Sequence, residues 1–336
     1  MKKIIALVLV VSICLCMAGC DLYKGKKRIV GVTYQNEIFN AVQNQECMSG
    51  IKLMQNELRV AYYENENPEE FESNLRIIVK EGHEFIWCFE PESKDALEKI
   101  APESPNTKFG LFDATYDGKI PENVTTVTFR EHEGAFLAGY IAGRTTVNNI
   151  LGFLGGKEND ISRKFEYGYK AGILYAAKEL GKQIDVVTLY TGDDHSKESG
   201  KSGAKKLYLE SGCDIIFQAT QVTGLGAIEA AVELNKLIIG NGIDQSSYGP
   251  KNVLTSVIKN AKNAVNRVTT MFTEDKDMGG KNFEYGLKDR VIGIAKTNTN
   301  MDKNVYRDAM ALRDKILDDS LEIPYNEETY LLYSQQ

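Results

Sequence analysis

Short apolar runs alternate with amphipathic stretches along almost the whole chain. Residues 28–34 (RIVGVTY), 60–63, 84–89 (EFIWCF), 108–113 (KFGLFD) and 123–129 are rich in β-branched and aromatic side chains and predict strands. Helical spacing of apolar positions fills the gaps, over 39–58, 68–81 and 91–101. A long helix over 133–145 then opens a second round with the same rhythm. Its strands are 150–154, 185–190, 214–218 and 237–240, and its helices are 162–180, 197–210 and 225–235. Strands that are apolar throughout, separated by amphipathic helices, predict parallel sheets covered on both faces. The strands are too many for one small open sheet, and the pattern restarts near residue 130. The expected fold is therefore α/β, with two doubly wound parallel-sheet lobes and a hinge. The last third is less regular, with strands at 253–258 and 290–294 and helices at 261–273 and 302–318. In open sheets of this kind ligands bind beyond the carboxyl ends of the strands, so two facing lobes predict a cleft.

The first residues break the rhythm. Lys2 and Lys3 precede an apolar stretch from Ile4 to Leu15, and Met17-Ala18-Gly19-Cys20 closes it. A basic start, a short apolar core and small residues before a cut site describe a secretory signal. The core is shorter than the roughly 20 apolar residues a membrane-spanning helix needs. A cysteine directly after the small residues resembles a bacterial lipoprotein signal, which implies that Cys20 becomes the first residue and carries lipid. Two or more acyl chains anchor a protein stably where one does not. Residues 21–28 (DLYKGKKR) read as a polar tether, either solvated or resting on anionic lipid through its basic side chains.

Charge and cysteine usage narrow the partners. The net charge of −7 becomes −9 when Lys2 and Lys3 leave with the signal, and no basic face stands out, which argues against nucleic acid. Of the six cysteines, Cys47, Cys88 and Cys213 remain in the fold, an odd number in apolar segments, and read as buried free thiols. With only three histidines and no metal-ligand spacing, no metal or cofactor is expected.

The stretch Glu131–Gly143 (EHEGAFLAGYIAG), followed by Gly152-Phe153-Leu154-Gly155-Gly156, carries a family resemblance. So do Phe39-Asn40, Asp113, FEYGYKAG from Phe165, Thr223-Gly224-Leu225-Gly226, Asp244-Gln245 and the run from Leu254 to Lys259. Together, in this order and spacing, they resemble the basic membrane protein family of ABC-transporter substrate-binding lipoproteins, over residues 28 to about 320. The resemblance implies the type I periplasmic binding protein fold, with interlobe crossings near Phe129, Ile243 and Gly293. The implied organisation is a signal at 1–19, a lipidated tether at 20–28, a first lobe of 29–129 plus 245–290, and a second lobe of 130–244 plus 291–325. Known members deliver purine nucleosides to an ABC importer. The implied chain is thus a monomeric, lipid-anchored protein on the extracytoplasmic face of the cell membrane, with a small polar ligand and a membrane permease as partners.

The resemblance also implies roles. Phe39 stacks on a nucleobase and Asn40 hydrogen-bonds the ligand; on the residues alone, Phe39 is a core side chain and Asn40 a helix cap. Asp113 accepts hydrogen bonds from the base, or is a turn aspartate ahead of Gly118. Lys259 reaches ribose hydroxyls, or is a solvated lysine before a helix. Asp244 serves a hinge or the ligand. Five positions depart from the family pattern. Gln35 and Asn36 replace an aspartate-rich start, Asp194 stands where a second stacking aromatic is usual, Gly242 replaces a ribose-binding aspartate, and Gln221 a backbone-contact glycine. Tyr190 and Trp87 are candidate replacements for the aromatic. These changes leave the binding class intact and open the alternative of a regulatory lipoprotein that kept the fold without transport. An enzyme is disfavoured: Asp193 and Asp194 are neighbours in sequence, which is not a catalytic pair, and no nucleophile elbow or base–nucleophile spacing is present.

Overall fold

In a parallel sheet whose strands are apolar on both faces, helices must cover both sides, and the central strands show this directly. Every residue of β3 (Phe85–Cys88) and β8 (Ile215–Ala219) is buried. The computed structural model describes residues 27–35, 40–67, 69–220, 222–296 and 299–336, with the backbone alone at 40–44. The signal, Cys20, most of the tether, Asn36, Phe39, Gln221 and the side chain of Asn40 lie outside the described residues.

The first sheet holds β1 (Arg28–Gln35), β2 (Leu58–Asn65), β3, β4 (Lys108–Phe112), β5 (Val124–Phe129) and β11 (Lys281–Tyr285). Its order is β11-β5-β4-β3-β1-β2, and every pairing is parallel. The second sheet holds β6 (Ile150–Gly155), β7 (Asp185–Tyr190), β8, β9 (Leu237–Gly242), β10 (Val253–Lys259) and β12 (Ile292–Ile294), in the order β12-β10-β9-β8-β6-β7. It is parallel except for the antiparallel pair β10/β12. Each lobe thus repeats one plan, in which the first strand sits between the second and third and a late strand closes the far edge. The helices α1 (Asn40–Lys52), α2 (Glu70–Lys80), α3 (Lys94–Glu103) and α8 (Ala261–Thr273) belong to the first lobe. The second carries α4 (Glu131–Thr145), α5 (Asp160–Leu180), α6 (Lys197–Leu209), α7 (Val222–Glu233), α9 (Lys303–Leu317) and α10 (Glu327–Ser334).

The chain crosses between lobes after β5, after β10, and between β11 and β12. The first crossing lies where the sequence predicts it, and the third falls a few residues before Gly293. The second differs: it follows Lys259, not Ile243. β10 pairs with β9 on one side and β12 on the other, so residues 245–259 belong to the second lobe. The turn after β9 resembles a crossing in sequence but is closed locally, with Ser246 N donating to Asp244 Oδ1 at 3.0 Å and Gln245 N to Ser256 Oγ at 3.1 Å. β11 (KNFEY) escapes sequence reading because an exposed, polar edge strand has no apolar run. α10 extends the second lobe beyond residue 325.

The three crossings lie side by side and bond one another. Arg130 N donates to Tyr285 O at 2.9 Å, and Asn260 N donates to Val291 O at 2.7 Å. Leu287 N donates to Glu133 Oε2 at 2.7 Å, and Arg130 pairs with the same carboxylate at 3.0 Å. Cys47, Cys88 and Cys213 are buried free thiols. Burial is the main cause that raises all three, Cys213 to about 11, which keeps the thiol form at neutral pH.

Gly134 makes room for Val257 and Ile292, while Gly139, Gly143, Gly168 and Gly172 share a different purpose. They let α4 and α5 meet backbone to backbone. A Cβ at Gly139 would sit 2.1 Å from Tyr169 O, and one at Gly172 would sit 2.0 Å from Phe136 O. Neither backbone can retreat without moving its helix. Gly172→Ala is expected to lower unfolding free energy by about 1–3 kcal/mol through overpacking, measured by urea denaturation; an unchanged midpoint would show that the helix pair tolerates separation.

Candidate functional site

The chain leaves β5 and β10 at their carboxyl ends to cross between lobes, so the carboxyl ends of both parallel sheets point toward the interlobe gap. Each sheet reverses its winding there, between β1 and β3 in one lobe and between β6 and β8 in the other. These switch points are where open α/β sheets bind ligands.

Side chains from both lobes converge at this gap. Asp113 follows β4 in the left-handed backbone region, φ 61°, with its N–H donating to Val127 O at 2.8 Å. Aspartate tolerates this conformation better than most residues. Lys259 ends β10 in the other lobe, and its Nζ donates to Asp113 Oδ2 at 2.8 Å. The same ammonium lies 3.1 Å from Glu131 Oε1, a charge contact without hydrogen-bond alignment, and 4.4 Å from the centre of the Phe129 ring. Glu131 opens α4 immediately after the first crossing and is 1% exposed. A second lysine, Lys164 of α5, approaches Glu131 Oε2 at 3.9 Å, donates to Phe129 O at 2.9 Å and pairs with Glu284 of β11 at 3.1 Å. Two lysines of the second lobe therefore reach carboxylates of the first, with Glu131 between them.

Burial would lower the Lys259 ammonium, but Asp113 and Glu131 outweigh it and hold its pKa above the usual lysine value. Glu131 is raised above the ordinary carboxylate value, mainly by burial and further by Asp113, against the opposing pull of Lys259 and Lys164. Glu133 is likewise raised by burial, partly offset by the Leu287 amide and Arg130. Lys259 thus stays cationic, and burial of Glu131 as an anion carries a cost that the lysines around it offset.

Behind Phe129 the core of the first lobe is aromatic. Phe129, Phe112, Phe89 and Trp87 form a buried series with ring centres 5.2, 6.2 and 5.8 Å apart. Trp87 is fully buried and donates from Nε1 to Thr269 Oγ1 at 3.0 Å, so it packs within its lobe. Tyr190 lies edge-on to Phe153 with its hydroxyl donating to Glu166 Oε2 at 2.7 Å. Both candidate replacement aromatics are held by internal partners.

Other residues singled out in the sequence are placed as follows. Gln35 ends β1, and its N–H donates to Glu90 Oε1 at 2.6 Å. Asp194 holds three loops together: Thr220 Oγ1 donates to Oδ1 at 2.9 Å and Lys157 N to Oδ2 at 3.2 Å. Gly242 has φ 86° and open space beside it. Asp244 is exposed, while its neighbour Gln245 is fully buried and accepts from Gln218 Nε2 at 2.8 Å. The glycines of Thr223-Gly224-Leu225-Gly226 are packing residues: a Cβ at Gly226 would meet Lys197 O at 1.8 Å, and one at Gly224 would meet Gln218 Oε1 at 2.0 Å. Sequence reasoning assigned no role to Glu131 or Lys164. Glu131 stood inside a quoted motif, where its buried position after a crossing is visible only in three dimensions.

Two doubly wound lobes, joined by three adjacent crossings and meeting at their strand ends, define the two-lobed type I periplasmic binding protein fold. Solved structures support the fold. An ABC transporter solute-binding protein from Aeropyrum pernix K1 superposes with a TM-score of 0.77 at 21% identity, covering 91% of this chain and 96% of that one. A transcriptional activator of the comK gene from Bacillus halodurans gives 0.74 at 17% identity, covering 88% and 99%. Sequence comparison goes further. The family described as ABC transporter substrate-binding protein PnrA-like matches residues 27–327. Basic membrane protein A of Borreliella afzelii is 33% identical over 307 residues, covering 90% of this chain and 92% of the relative. Basic membrane protein B of Borrelia garinii subsp. bavariensis is 31% identical over 352 residues, covering 99% and 98%. The chain belongs to the Bmp family of PnrA-like ABC transporter substrate-binding proteins, whose members bind a solute for transport and do not turn it over.

The hinge carries a titratable group with a definite signature. His132, beside Glu131, is buried, which lowers its pKa to about 3, with Lys164 and Arg130 contributing. The unfolded histidine titrates near 6.5, so the unfolded state binds this proton first and stability falls as pH drops below about 6.5. Between pH 8 and pH 5 this one group is expected to cost about 2 kcal/mol. Glu131 and Glu133, raised in the fold, work in the opposite direction, so the comparison must be with His132→Gln. That variant should lose about 2 kcal/mol less than wild type over the same interval in urea titrations; equal losses would place the protonation elsewhere.

Proposed function

We propose that this protein is the extracytoplasmic solute-binding lipoprotein of an ABC importer, anchored through Cys20, and that it takes a purine nucleoside into the interlobe cleft. The observation that carries the reading is the meeting of Asp113 and Lys259 from opposite lobes, 2.8 Å apart at the carboxyl ends of the two sheets. A carboxylate acceptor and an ammonium donor on opposite walls suit a ligand with N–H donors at one end and hydroxyls at the other. In this reading Asp113 accepts from the base and Lys259 donates to the ribose. Phe39 stacks on the base, worth about 1–3 kcal/mol, and Asn40 adds a hydrogen bond. Asp244 steadies the turn after β9 at the cleft edge. The protein acts as a monomer beside its permease, without nucleic acid as a partner, and the lipid anchor raises its effective concentration there.

A purine nucleoside at 100 times its dissociation constant should stabilise the protein by about 2.7 kcal/mol, seen as a higher melting temperature, and Asp113→Asn should abolish the rise. No shift with any nucleoside of a panel would end the nucleoside reading while leaving a different solute open. The anchor is tested separately. Cys20→Ser should abolish incorporation of labelled fatty acid and release the protein from the membrane fraction; retention of label would refute lipidation at Cys20.

One observation favours a second reading, a regulatory lipoprotein without transport. Asp194, in the place of a family stacking aromatic, has its carboxylate engaged by Thr220 and Lys157. Permease and ATPase genes beside this one would count against that reading.

A further inference from the structure

Glu131 is a charged group that the binding reading leaves unexplained. It is 1% exposed, and neither carboxylate oxygen makes an aligned hydrogen bond. A buried carboxylate in that condition is retained at a cost, and a neutral side chain of the same size would fit the same space. Its surroundings say what the charge is for. Lys259 of β10 lies at 3.1 Å and Lys164 of α5 at 3.9 Å. Asp113, after β4, shares Lys259, and Glu284 of β11 shares Lys164. Arg130 and Glu133, on either side in sequence, pair with each other, and His132 is buried alongside.

Lys259 therefore has two counter-charges of different kinds. Asp113 stands at the cleft, its side chain 14% exposed, and Glu131 lies behind it, out of reach of any ligand. With Asp113 alone, a ligand donor bonding that carboxylate would have to displace the ammonium and leave it without a partner. With Glu131 behind it, the ammonium keeps a counter-charge while Asp113 turns to the ligand. We propose that Glu131 is a positioning residue for ligand binding, holding the Lys259 ammonium at the hinge so that Asp113 can be given up to the ligand. This rests on the reading of Asp113 and Lys259 as ligand contacts. Glu131 itself touches no ligand and acts only through Lys259.

The test uses the mature chain and inosine titrated by calorimetry. Glu131→Gln should weaken binding at least tenfold, about 1.4 kcal/mol, and Glu131→Asp should recover part of the loss. In a Lys259→Met background, Glu131→Gln should change affinity less than twofold. Binding within twofold of wild type for Glu131→Gln, or an equal loss in both backgrounds, would overturn the proposal. A second readout needs no ligand: the side-chain ammonium resonance of Lys259, assigned by its absence from Lys259→Met. In Asp113→Asn, where Glu131 remains as the close carboxylate partner, that resonance should stay slowly exchanging and displaced from the exposed-lysine position, and Glu131→Asp in the same background should move it. A Lys259 resonance at the exposed-lysine position there refutes the positioning role, even if Glu131→Gln does not fold. Should wild type bind no nucleoside while the resonance behaves as expected, the nucleoside reading fails and the coupling of Glu131 to Lys259 stands.

Discussion

The structure turns on one buried ammonium. Lys259 is the last residue of a second-lobe strand, yet its charge is balanced by Asp113 of the first lobe and by Glu131 at the crossing between them. Exposed ion pairs are weak because water competes for both partners. Here the ammonium side chain is 11% exposed and the two carboxylates 14% and 1%, so little water competes. Removing any one of the three leaves the others buried and mismatched, which is far costlier than losing a surface pair. The relative position of the lobes is therefore tied to a charge balance, with Lys164 and Glu284 adding a second tie across the same gap.

Such a balance is useful only if the backbone around it is rigid. The α4/α5 pair supplies that rigidity through direct backbone contact, with Gly139 and Gly172 removing the side chains that would hold the helices apart. Glu131 and Glu133 sit at the first turn of α4, so the helix packed backbone to backbone against α5 also carries the two hinge carboxylates. Glu133 spans the crossings by accepting from Leu287 N, while Glu131 faces the lysines. One short motif thus combines a packing surface with the charges of the hinge.

Much of this was legible in the sequence. The apolar runs and their spacing mark the central strands because a two-sided burial demand leaves a continuous apolar signal. The restart of the pattern near residue 130 marks the second lobe for the same reason. The edges were not legible. β11 is a polar strand stabilised by pairing with β5, which no local pattern reveals. The second crossing was misplaced because the turn after β9 and a true crossing both read as polar breaks, and only the pairing of β10 separates them. At the site, Asp113 and Lys259 were singled out by the family resemblance, where the residues alone also allowed a turn aspartate and a solvated lysine, and the structure brings the two together. Glu131 and Lys164 did not stand out, because a charged residue in a helix pattern ordinarily reads as solvated surface. Their contacts depend on the packing of α4 against α5, which lies outside any local window.

The distribution of unusual residues follows the same division. Positions that set the hinge lie where the chain crosses between lobes, and their contacts are dictated by the path of the backbone. Among the described positions that differ from the family pattern, Gln35 and Gly242 end strands and Asp194 lies in the turn after β7, where a changed side chain is accommodated locally. Asp194 illustrates this: it binds Thr220 and Lys157 within its own lobe and leaves the crossings untouched. A chain built this way can alter what it binds without altering how its lobes are joined. The charge cluster joins the lobes, while Asp194, in the turn beyond β7, departs from the family pattern without touching that junction.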